Sequence, residues 1–517
     1  MTLPSHRSNR EKSRRIHGAE RSEILQPRRV LTTIPMMPAT RNLLAIDLGA
    51  ESGRGVLGSF DGSTIRLEVL HRFANGPVAT LDSLHWDVLR LHTEILNALR
   101  AAAGRGDVAG VGVDAWGVDF ALLGRGGTLL GNPRHYRDPH TEGVMERAFR
   151  VVPRERIYER TGVQFMRINT LMQSLALREA RSPLLDVAEN LLMIPDLFHY
   201  FLTGMKVNEF TDASTSQLVD PVSRSWAHDL ISAFGLPARM FGSIVPPGTV
   251  LGPLRAAIAR DTGLAPVPVI APATHDTASA VAAVPAEAGS SWAFISSGTW
   301  SLVGAEVPKP IITPETLAAN FTNEGGVAGT TRFLKNVMGL WLVQECRRSW
   351  EKSGRTFTYD ELTALAAAAP PSPSRIDPDD PRFLLPADMP AAIAEYCRST
   401  GQPVPTDPGA MIRCCLESLA EKYRWVIERM EALLGRRIDV IHVVGGGCQN
   451  GLLCQLTADA CRRPVLAGPV EATALGNVLM QAMGLGLIDD VDQGREIVRR
   501  SVEVARYEPS RGRDGSA

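Results

Sequence analysis

The sequence predicts an α/β protein built from two halves, each with a mixed β-sheet flanked by helices. The first half opens with an apolar strand that ends in a small-residue turn at Asp47, followed by two strands, a helix and another strand. A second cycle of strand, small-residue turn and strand starts near Ser291. Repetition of this unit indicates a duplicated fold. The 517 residues are enough for two domains of ordinary size.

The amino-acid composition argues against several functional classes. Hydrophobic residues make up 44% and charged residues 21% of the chain, and the net charge is −1, as in soluble globular proteins. This balance attracts neither nucleic acid nor an acidic membrane, and no apolar run reaches the roughly 18 residues of a membrane span. The seven cysteines lie beyond residue 345 without CxxC spacing, which argues against a disulfide framework and a zinc site and favours a cytoplasmic protein.

Folded structure is predicted to begin at Asn42, after a basic extension. Residues 5–29 carry eight Lys/Arg and three Glu with almost no apolar periodicity, so residues 1–40 are expected to be disordered. Apolar alternation and turn residues then predict the elements of the first sheet. The expected strands cover residues 43–46, 55–60, 64–73, 108–116 and 120–123, and the expected helix covers residues 87–103.

A helix-rich region with several proline breaks follows at residues 134–250, and it is expected to be an insertion that shapes a substrate pocket. Its expected helices are residues 169–181 and 195–202. In the second half, strands are predicted at 292–296, 300–307, 438–444 and 464–467, and helices at 409–434, 450–460 and 473–483. Residues 354–408 are expected to hold the least regular stretch, and the charged chain after Asp489 is expected to fray.

The stretch THDTASAV, residues 274–281, places Asp276 where an apolar strand gives way to a helix. A carboxylate held there is able to take a proton from a hydroxyl that attacks a phosphoryl group. The same residue would also serve as a simple helix N-cap. His275 beside it suggests an Asp–His–Ser hydrolase, but no GxSxG motif is present and neighbouring side chains in a strand point apart.

Three small-residue turns are candidates for binding phosphate. DLGAESGR, residues 47–54, offers glycines that admit a phosphate to the backbone, with Ser52 and Arg54 as donors. SSGTWS, residues 296–301, offers four hydroxyls, and VVGGGCQN, residues 443–450, offers three glycines before a helix. Only the third exceeds what an ordinary turn requires. Neither GxGxxG nor a Walker A motif is present.

The stretch DAWGVDF, residues 114–120, has two carboxylates that flank Trp116 and Gly117. A sugar would be able to lie on the backbone of Gly117 with Trp116 as an apolar wall. A β-turn that carries a core tryptophan would look the same. The motif alone therefore leaves both interpretations open.

Taken together, the glycine turns of the two halves resemble the actin-like ATPase fold, in which two ribonuclease-H-like domains hold ATP in the cleft between them. Within that fold, the stretches at 274–281, 296–301 and 443–450 are similar to those of the FGGY carbohydrate kinases. The resemblance covers roughly residues 42–486 and includes longer motifs: LGAESGR, DAWGVDF, YRD, THDTASAV, SSGTWSL, NEGG, LKNVMGLWLVQE, GGGCQN and AGPVEATALGN. It implies transfer of phosphate from ATP to the C1 hydroxyl of L-rhamnulose, a step in L-rhamnose degradation.

The resemblance also implies roles for individual residues. Asp276 would be the general base, and Asp47 the carboxylate nearest Mg²⁺. The sugar would contact Gly117, His275, Thr277 and Asn336. ATP would contact Ala50, Glu51, Ser52, Gly53, Arg54, Thr299, Gln344 and Gly446. Glu51 stands where the resemblance implies a small hydroxyl residue, and its carboxylate is expected to face away from the triphosphate.

The expected domains are residues 41–285, with the sugar site, and residues 286–490, with the nucleotide site, followed by a charged tail at 491–517. The expected partners are the sugar and ATP, without nucleic acid or membrane, in a monomer or small homo-oligomer. Another ketose or polyol, such as L-fuculose, L-ribulose, xylulose or glycerol, would use the same fold and base. A non-catalytic actin-like nucleotide-binding protein and a phosphatase of the same superfold are the rivals of other classes.

Overall fold

The computed structural model describes residues 40–510 of the chain. Its first sheet is centred on the strand Arg41–Leu48, which pairs antiparallel with Ser52–Phe60 and parallel with Val108–Ala115. Three further strands complete the sheet at its two sides. In spatial order the six strands are Ile65–Ala74, Ser52–Phe60, Arg41–Leu48, Val108–Ala115, Pro268–Ala271 and Thr249–Pro253.

The second sheet repeats this arrangement. Trp292–Ser297 pairs antiparallel with Trp300–Val307 and parallel with Val440–Val444, as the first three strands do in the other half. This agrees with the predicted repetition of a strand, a small-residue turn and a strand. In spatial order the seven strands are Thr322–Gly325, Thr331–Met338, Trp300–Val307, Trp292–Ser297, Val440–Val444, Val465–Ala467 and Ala505–Tyr507.

The main helices fall close to their predicted positions. Asp87 caps the first of them, because its side chain accepts the backbone N–H of Arg90. The long helix of the second half carries a continuous buried stripe that packs on the second sheet. The bounds are Val88–Ala103, Thr170–Glu179, Ile194–Thr203, Asp276–Ala282, Trp341–Lys352, Pro408–Leu434, Gly451–Cys461 and Ala472–Gly484.

The helix Ala472–Gly484 packs against the first sheet, although it belongs to the second half of the chain. Asn477 and Gln481 donate side-chain hydrogen bonds to the carbonyl oxygens of Gly112 and Leu44, at 3.2 and 3.0 Å. A Cβ at Gly112 would lie 2.6 Å from the Asn477 amide oxygen, so only glycine permits this approach. The helix therefore ties the two halves together behind the cleft.

Of two predictions about irregular stretches, the one for the chain after Asp489 was wrong. The stretch 354–408 does hold a long irregular segment, residues 369–388, in which the short 3₁₀ helix Pro381–Phe383 is the regular structure. Residues 354–408 contain the helices Tyr359–Ala368 and Met389–Ser399, and Thr358 and Asp388 cap their first turns. The chain after Asp489 also continues as folded structure: the helix Val491–Ser501 buries Val491, Ile497 and Val498, and the strand Ala505–Tyr507 pairs with the second sheet. Charged residues alternate there with an apolar face, which the charge content concealed.

The basic extension predicted at residues 1–40 lies outside the described residues, except for its last position. Within residues 40–510, no helix has both the length and the apolar character that crossing a bilayer requires.

Candidate active site

The parallel strands of both sheets end at a common cleft. Its cavity has a volume of about 320 Å³ and is lined by residues that follow strand ends in both halves. Such a position is the usual place for a ligand in an α/β fold. The predicted site residues that line it are Asp47, Ala50, Glu51, Ser52, Arg54, Gly117, His275, Asp276, Thr277, Thr299, Asn336, Gln344 and Gly446.

Gly53 is the predicted site residue that does not line the cavity. Its Cα hydrogens face the ring of Phe73, so that an added Cβ would lie 2.3 Å from the ring carbons. Gly53 therefore permits tight packing of two neighbouring strands. The predicted contact of Gly53 with ATP stays a prediction, and a backbone group of this residue would have to make it.

Asp276 is the first residue of its helix, and His275 occupies the cap position. The Asp276 Oδ1 accepts the backbone N–H of Thr277 at 2.6 Å, so the carboxylate does satisfy one free helix amide. It also lines the cavity, and 30% of its side chain is exposed. Burial, and then the nearby negative charge of Asp47, raises the Asp276 pKa to about 7. A carboxylate with this pKa suits general-base catalysis at neutral pH.

His275 lies between Asp276 and a buried arginine. Its Nε2 is 3.3 Å from the Asp276 Oδ1, and its Nδ1 is 3.0 Å from an Nη of Arg332. The expectation that the neighbouring side chains of residues 275 and 276 point apart was wrong, because the strand has already ended and the backbone turns into the helix here. Burial, and then Arg332, lowers the pKa of His275 well below its usual value.

Aromatic rings form one wall of the cleft behind Gly117. The indole of Trp116 stacks on Trp86 with a centroid separation of 3.9 Å, and both indole N–H groups donate to Asp119, at 3.0 and 2.5 Å. Asp119 is fully buried and does not line the cavity. Of the two carboxylates that flank Trp116, Asp119 therefore holds the wall in place, and Asp114 accepts a hydrogen bond from Asn477 at 2.5 Å.

Sequence reasoning missed several residues of the cavity. Gln164 comes from the helix-rich insertion, and its Oε1 accepts the backbone N–H of Asn336 from the second sheet at 2.8 Å. Val163, Met166 and Ile168 give this part of the cavity apolar lining. The insertion was predicted to shape the pocket, but no local pattern singled out these positions. Glu324 also lines the cavity, and the NEGG motif was the available signal for it.

The turn at residues 47–54, a predicted phosphate site, is held by charged contacts. Arg54 donates to the Asp47 Oδ2 from Nε at 2.9 Å and also pairs with Glu471 of the second half at 2.8 Å. The turn itself closes through the Gly49 N–H, which donates to the Ser52 carbonyl at 3.0 Å. The facing turn of the second half begins at Gly445. The φ of this residue is 81°, in the left-handed region that favours glycine.

Glu51 is turned onto a cation from the other half of the chain. Its carboxylate forms an ion pair with Arg348 of the helix Trp341–Lys352, and Arg348 also pairs with Glu345. Burial raises the Glu51 pKa, and the Arg348 charge opposes that shift. The charge of Glu51 is thus compensated within the protein rather than by solvent or a metal.

Because of this compensation, Glu51→Ser is expected to change the ATP dissociation constant by less than about tenfold, or about 1.4 kcal/mol. The measurement is isothermal titration of ATP–Mg²⁺ into the variant and the unmodified chain. Glu345→Gln removes the other carboxylate on Arg348 and is the matched control. A gain in affinity of more than tenfold for Glu51→Ser alone would mean that the Glu51 carboxylate repels the triphosphate.

Comparison with models of known protein families identifies the family of this chain. The model of the N-terminal domain of the FGGY family of carbohydrate kinases matches residues 42–283, and the model of its C-terminal domain matches residues 293–485. The chain therefore belongs to the FGGY family of carbohydrate kinases. Its fold is the predicted one, with two domains of mixed sheets flanked by helices.

Curated relatives of high identity show the group within the FGGY family to which the chain is most similar. The chain is 48% identical to a rhamnulokinase of Bacteroides thetaiotaomicron over 470 residues, which cover 91% of this chain and 96% of the relative. It is 44% identical to a rhamnulokinase of Pectobacterium atrosepticum over 475 residues, with 91% and 94% covered. Within the FGGY family, the chain belongs with the rhamnulokinases.

Solved structures show the same fold at low identity. A gluconate kinase from Lactobacillus acidophilus superposes with a TM-score of 0.73 at 15% identity, covering 91% of this chain and 94% of the other. A xylulose kinase from Rhodospirillum rubrum superposes with a TM-score of 0.71 at 18% identity, with the same coverage.

Proposed function

We propose that the chain phosphorylates L-rhamnulose at its C1 hydroxyl, with ATP as donor and L-rhamnulose 1-phosphate and ADP as products. The observation that carries the proposal is Asp276. This carboxylate lies in the same cavity as the phosphate-binding turns, and its pKa of about 7 lets it accept a proton at neutral pH. The identity to rhamnulokinases over most of the chain supports L-rhamnulose as the acceptor.

Each half of the chain is assigned one of the two substrates. We infer a sugar domain at residues 41–285 and a nucleotide domain at residues 286–490. Of the predicted sugar contacts that line the cavity with Asp276, Gly117, His275 and Thr277 come from the sugar domain, and Asn336 comes from the nucleotide domain across the cleft. Asp276 would remove the proton of the C1 hydroxyl as the hydroxyl oxygen attacks the γ-phosphorus of ATP. The bond between that phosphorus and the oxygen bridging to the β-phosphate breaks, and ADP leaves.

Residues of both halves would bind the nucleotide. Residues 50–52 and Arg54 of the first half line the cavity, together with Thr299 and Gly446 of the second half. Gln344 lines the same cavity, and its Oε1 is buried without a hydrogen-bond partner among the described residues. Because buried polar atoms are normally paired, this oxygen supports a bound ligand with a donor group.

The residues near Asp47 fit a magnesium ion. Burial and the Asp47 charge raise the pKa of Asp114 well above its usual value, which reflects crowded negative charge at these strand ends. Mg²⁺ typically uses one or two carboxylates and completes its shell with phosphate oxygens and water. A site of this kind does not require a cluster of three protein ligands, and residues 40–510 contain none. Asp47 would hold the ion, which when bound supplies charge neutralisation at the phosphates.

The pH dependence of catalysis follows from the Asp276 pKa. Only the ionised carboxylate accepts a proton, so kcat/KM for the sugar is expected to fall about tenfold per pH unit below a midpoint near pH 7. An ordinary aspartate would place the midpoint about three units lower. Initial rates from pH 5 to 9 at saturating ATP–Mg²⁺ measure it. Rates that do not fall between pH 9 and pH 5 would show that the Asp276 pKa is not raised in the working enzyme.

The test of the proposal is ADP release by the purified chain with ATP and magnesium. The acceptor panel is L-rhamnulose, L-fuculose, L-ribulose, D-xylulose and glycerol. A kcat/KM for L-rhamnulose well above the others is the expected result. Preference for another acceptor would retain the kinase mechanism but overturn the substrate, and would direct attention to the pocket around Gly117 and Asn336.

The rival functions give different outcomes in the same assay. A phosphatase of this superfold would release inorganic phosphate without any sugar. A nucleotide-binding protein without catalysis would bind ATP and release no ADP with any acceptor. Sugar-dependent ADP release excludes both.

A further inference from the structure

Arg332 is a buried cation that the phosphoryl transfer described above does not use. It lies on the strand Thr331–Met338 and is 0% exposed. Its Nε donates to the Gly325 carbonyl at 2.7 Å, one Nη lies 3.3 Å from a Glu324 carboxylate oxygen, and the other lies 3.0 Å from the His275 Nδ1. Burial of an arginine is costly unless its charge and donors are used.

The contact with His275 fixes the position of a proton. A guanidinium has only donors, so the nitrogen it meets must offer a lone pair. A Glu324 carboxylate oxygen lies 3.5 Å from the same Nδ1 and 3.3 Å from the other Nη of Arg332. The shorter contact with Arg332, at 3.0 Å, makes Nδ1 the acceptor and leaves the single proton of the neutral imidazole on Nε2. The Nε2 is the atom that lies 3.3 Å from the Asp276 Oδ1.

The surroundings of His275 come from four elements. Arg332 and Glu324 face it from the second sheet, and Asp276 from its own helix. The Thr211 hydroxyl accepts the His275 backbone N–H at 3.2 Å, and the buried carboxylates of Glu209 and Asp212 lie close enough to interact with Arg332. Arg332 is thus the cation that balances this acidic group while leaving His275 neutral.

We propose that Arg332 is a positioning residue that fixes His275 as the Nε2–H tautomer and thereby aims the Asp276 carboxylate at the sugar hydroxyl. The Thr277 N–H is donated to the Asp276 Oδ1, and the His275 Nε2 lies 3.3 Å from the same atom, so the other carboxylate oxygen is left to accept the substrate proton. The consequence for turnover rests on the proposed function. The tautomer itself does not, since it follows from the contact with Arg332.

The experiment is ¹⁵N NMR of the full chain labelled at histidine, with the His275 signals assigned by their loss in His275→Asn. At pH 7 to 8 the unmodified chain is expected to show the proton of His275 on Nε2. In Arg332→Met the preference is expected to be lost, and kcat to fall about tenfold or more while KM for ATP stays within about twofold, because misaimed catalytic groups cost turnover rather than nucleotide binding. Arg332→Lys keeps a donor and a charge, and is expected to restore the tautomer and most of kcat.

Lys335→Met is the matched control. Lys335 is a buried cation on the same strand, and its Nζ donates to the carbonyls of Ala319 and Asn320 rather than to His275. Its replacement is expected to leave the His275 tautomer and kcat unchanged. If Arg332→Met fails to fold, the double variant Arg332→Met with Glu324→Met removes both buried charges together and takes its place.

A proton on Nδ1 in the unmodified chain would overturn the proposal, and so would an unchanged tautomer and kcat in folded Arg332→Met. An equal loss in Lys335→Met would also overturn it, since any buried cation of the strand would then have the same effect. If the unmodified chain phosphorylates no sugar, the proposed function fails, while the NMR result still decides the role of Arg332.

Discussion

Asp276→Asn is expected to lower kcat by about 10²-fold or more and to leave the binding of sugar and ATP almost unchanged. The asparagine amide has nearly the same shape as the carboxylate, and its oxygen still accepts a hydrogen bond from the Thr277 N–H. It cannot take up the proton of the C1 hydroxyl. Single-turnover rates measure the loss, and isothermal titration of each substrate measures binding.

Asp82→Asn, an identical change at an exposed position, is the control and is expected to be silent. Near-normal turnover in Asp276→Asn would show that another group accepts the proton. Loss of sugar binding together with turnover would show instead that the carboxylate holds the substrate rather than activating it.

Gly476→Ala is expected to destabilise the fold by about 3 kcal/mol or more, at the upper end for overpacking. A methyl group at this position would lie 1.8 Å from the Ser279 carbonyl oxygen and 2.5 Å from its carbon. Both are backbone atoms that cannot swing aside, so the helices Ala472–Gly484 and Asp276–Ala282 must separate. Since Asp276 begins the second helix, kcat is expected to fall as well.

Thermal unfolding and steady-state kinetics test this expectation. Gly104→Ala is the matched control, because Gly104 has a φ of −78° and a methyl group there would be 3.6 Å from its nearest neighbour outside the adjacent residues, the Ala101 carbonyl oxygen. It is expected to leave both quantities nearly unchanged. An unaltered melting temperature in Gly476→Ala would mean that the two helices are not held at this distance in solution.

Predictions from the sequence succeeded where the signal is local. Apolar runs that end in glycine-rich turns located the strand ends at Asp47, Ser297 and Gly445, because a strand, its turn and the following element are coded within about ten residues. The same reasoning located the start of the helix at Asp276 within one residue. The prediction for the tail after Asp489 was wrong because the buried face of the helix Val491–Ser501 becomes evident only when the helix is packed in the folded chain.

The sequence by itself determined the fold class, the family and the group of residues that meets in the cleft, since each depends on short motifs in a fixed order. Only the tertiary structure decided which charges face one another: Glu51 with Arg348, Arg54 with Glu471, and His275 with Arg332. These partners are 57 to 417 positions apart, and their pairing depends on how two sheets and a crossing helix pack. No periodicity or motif encodes that packing, so the electrostatics of the active site had to be taken from the folded chain.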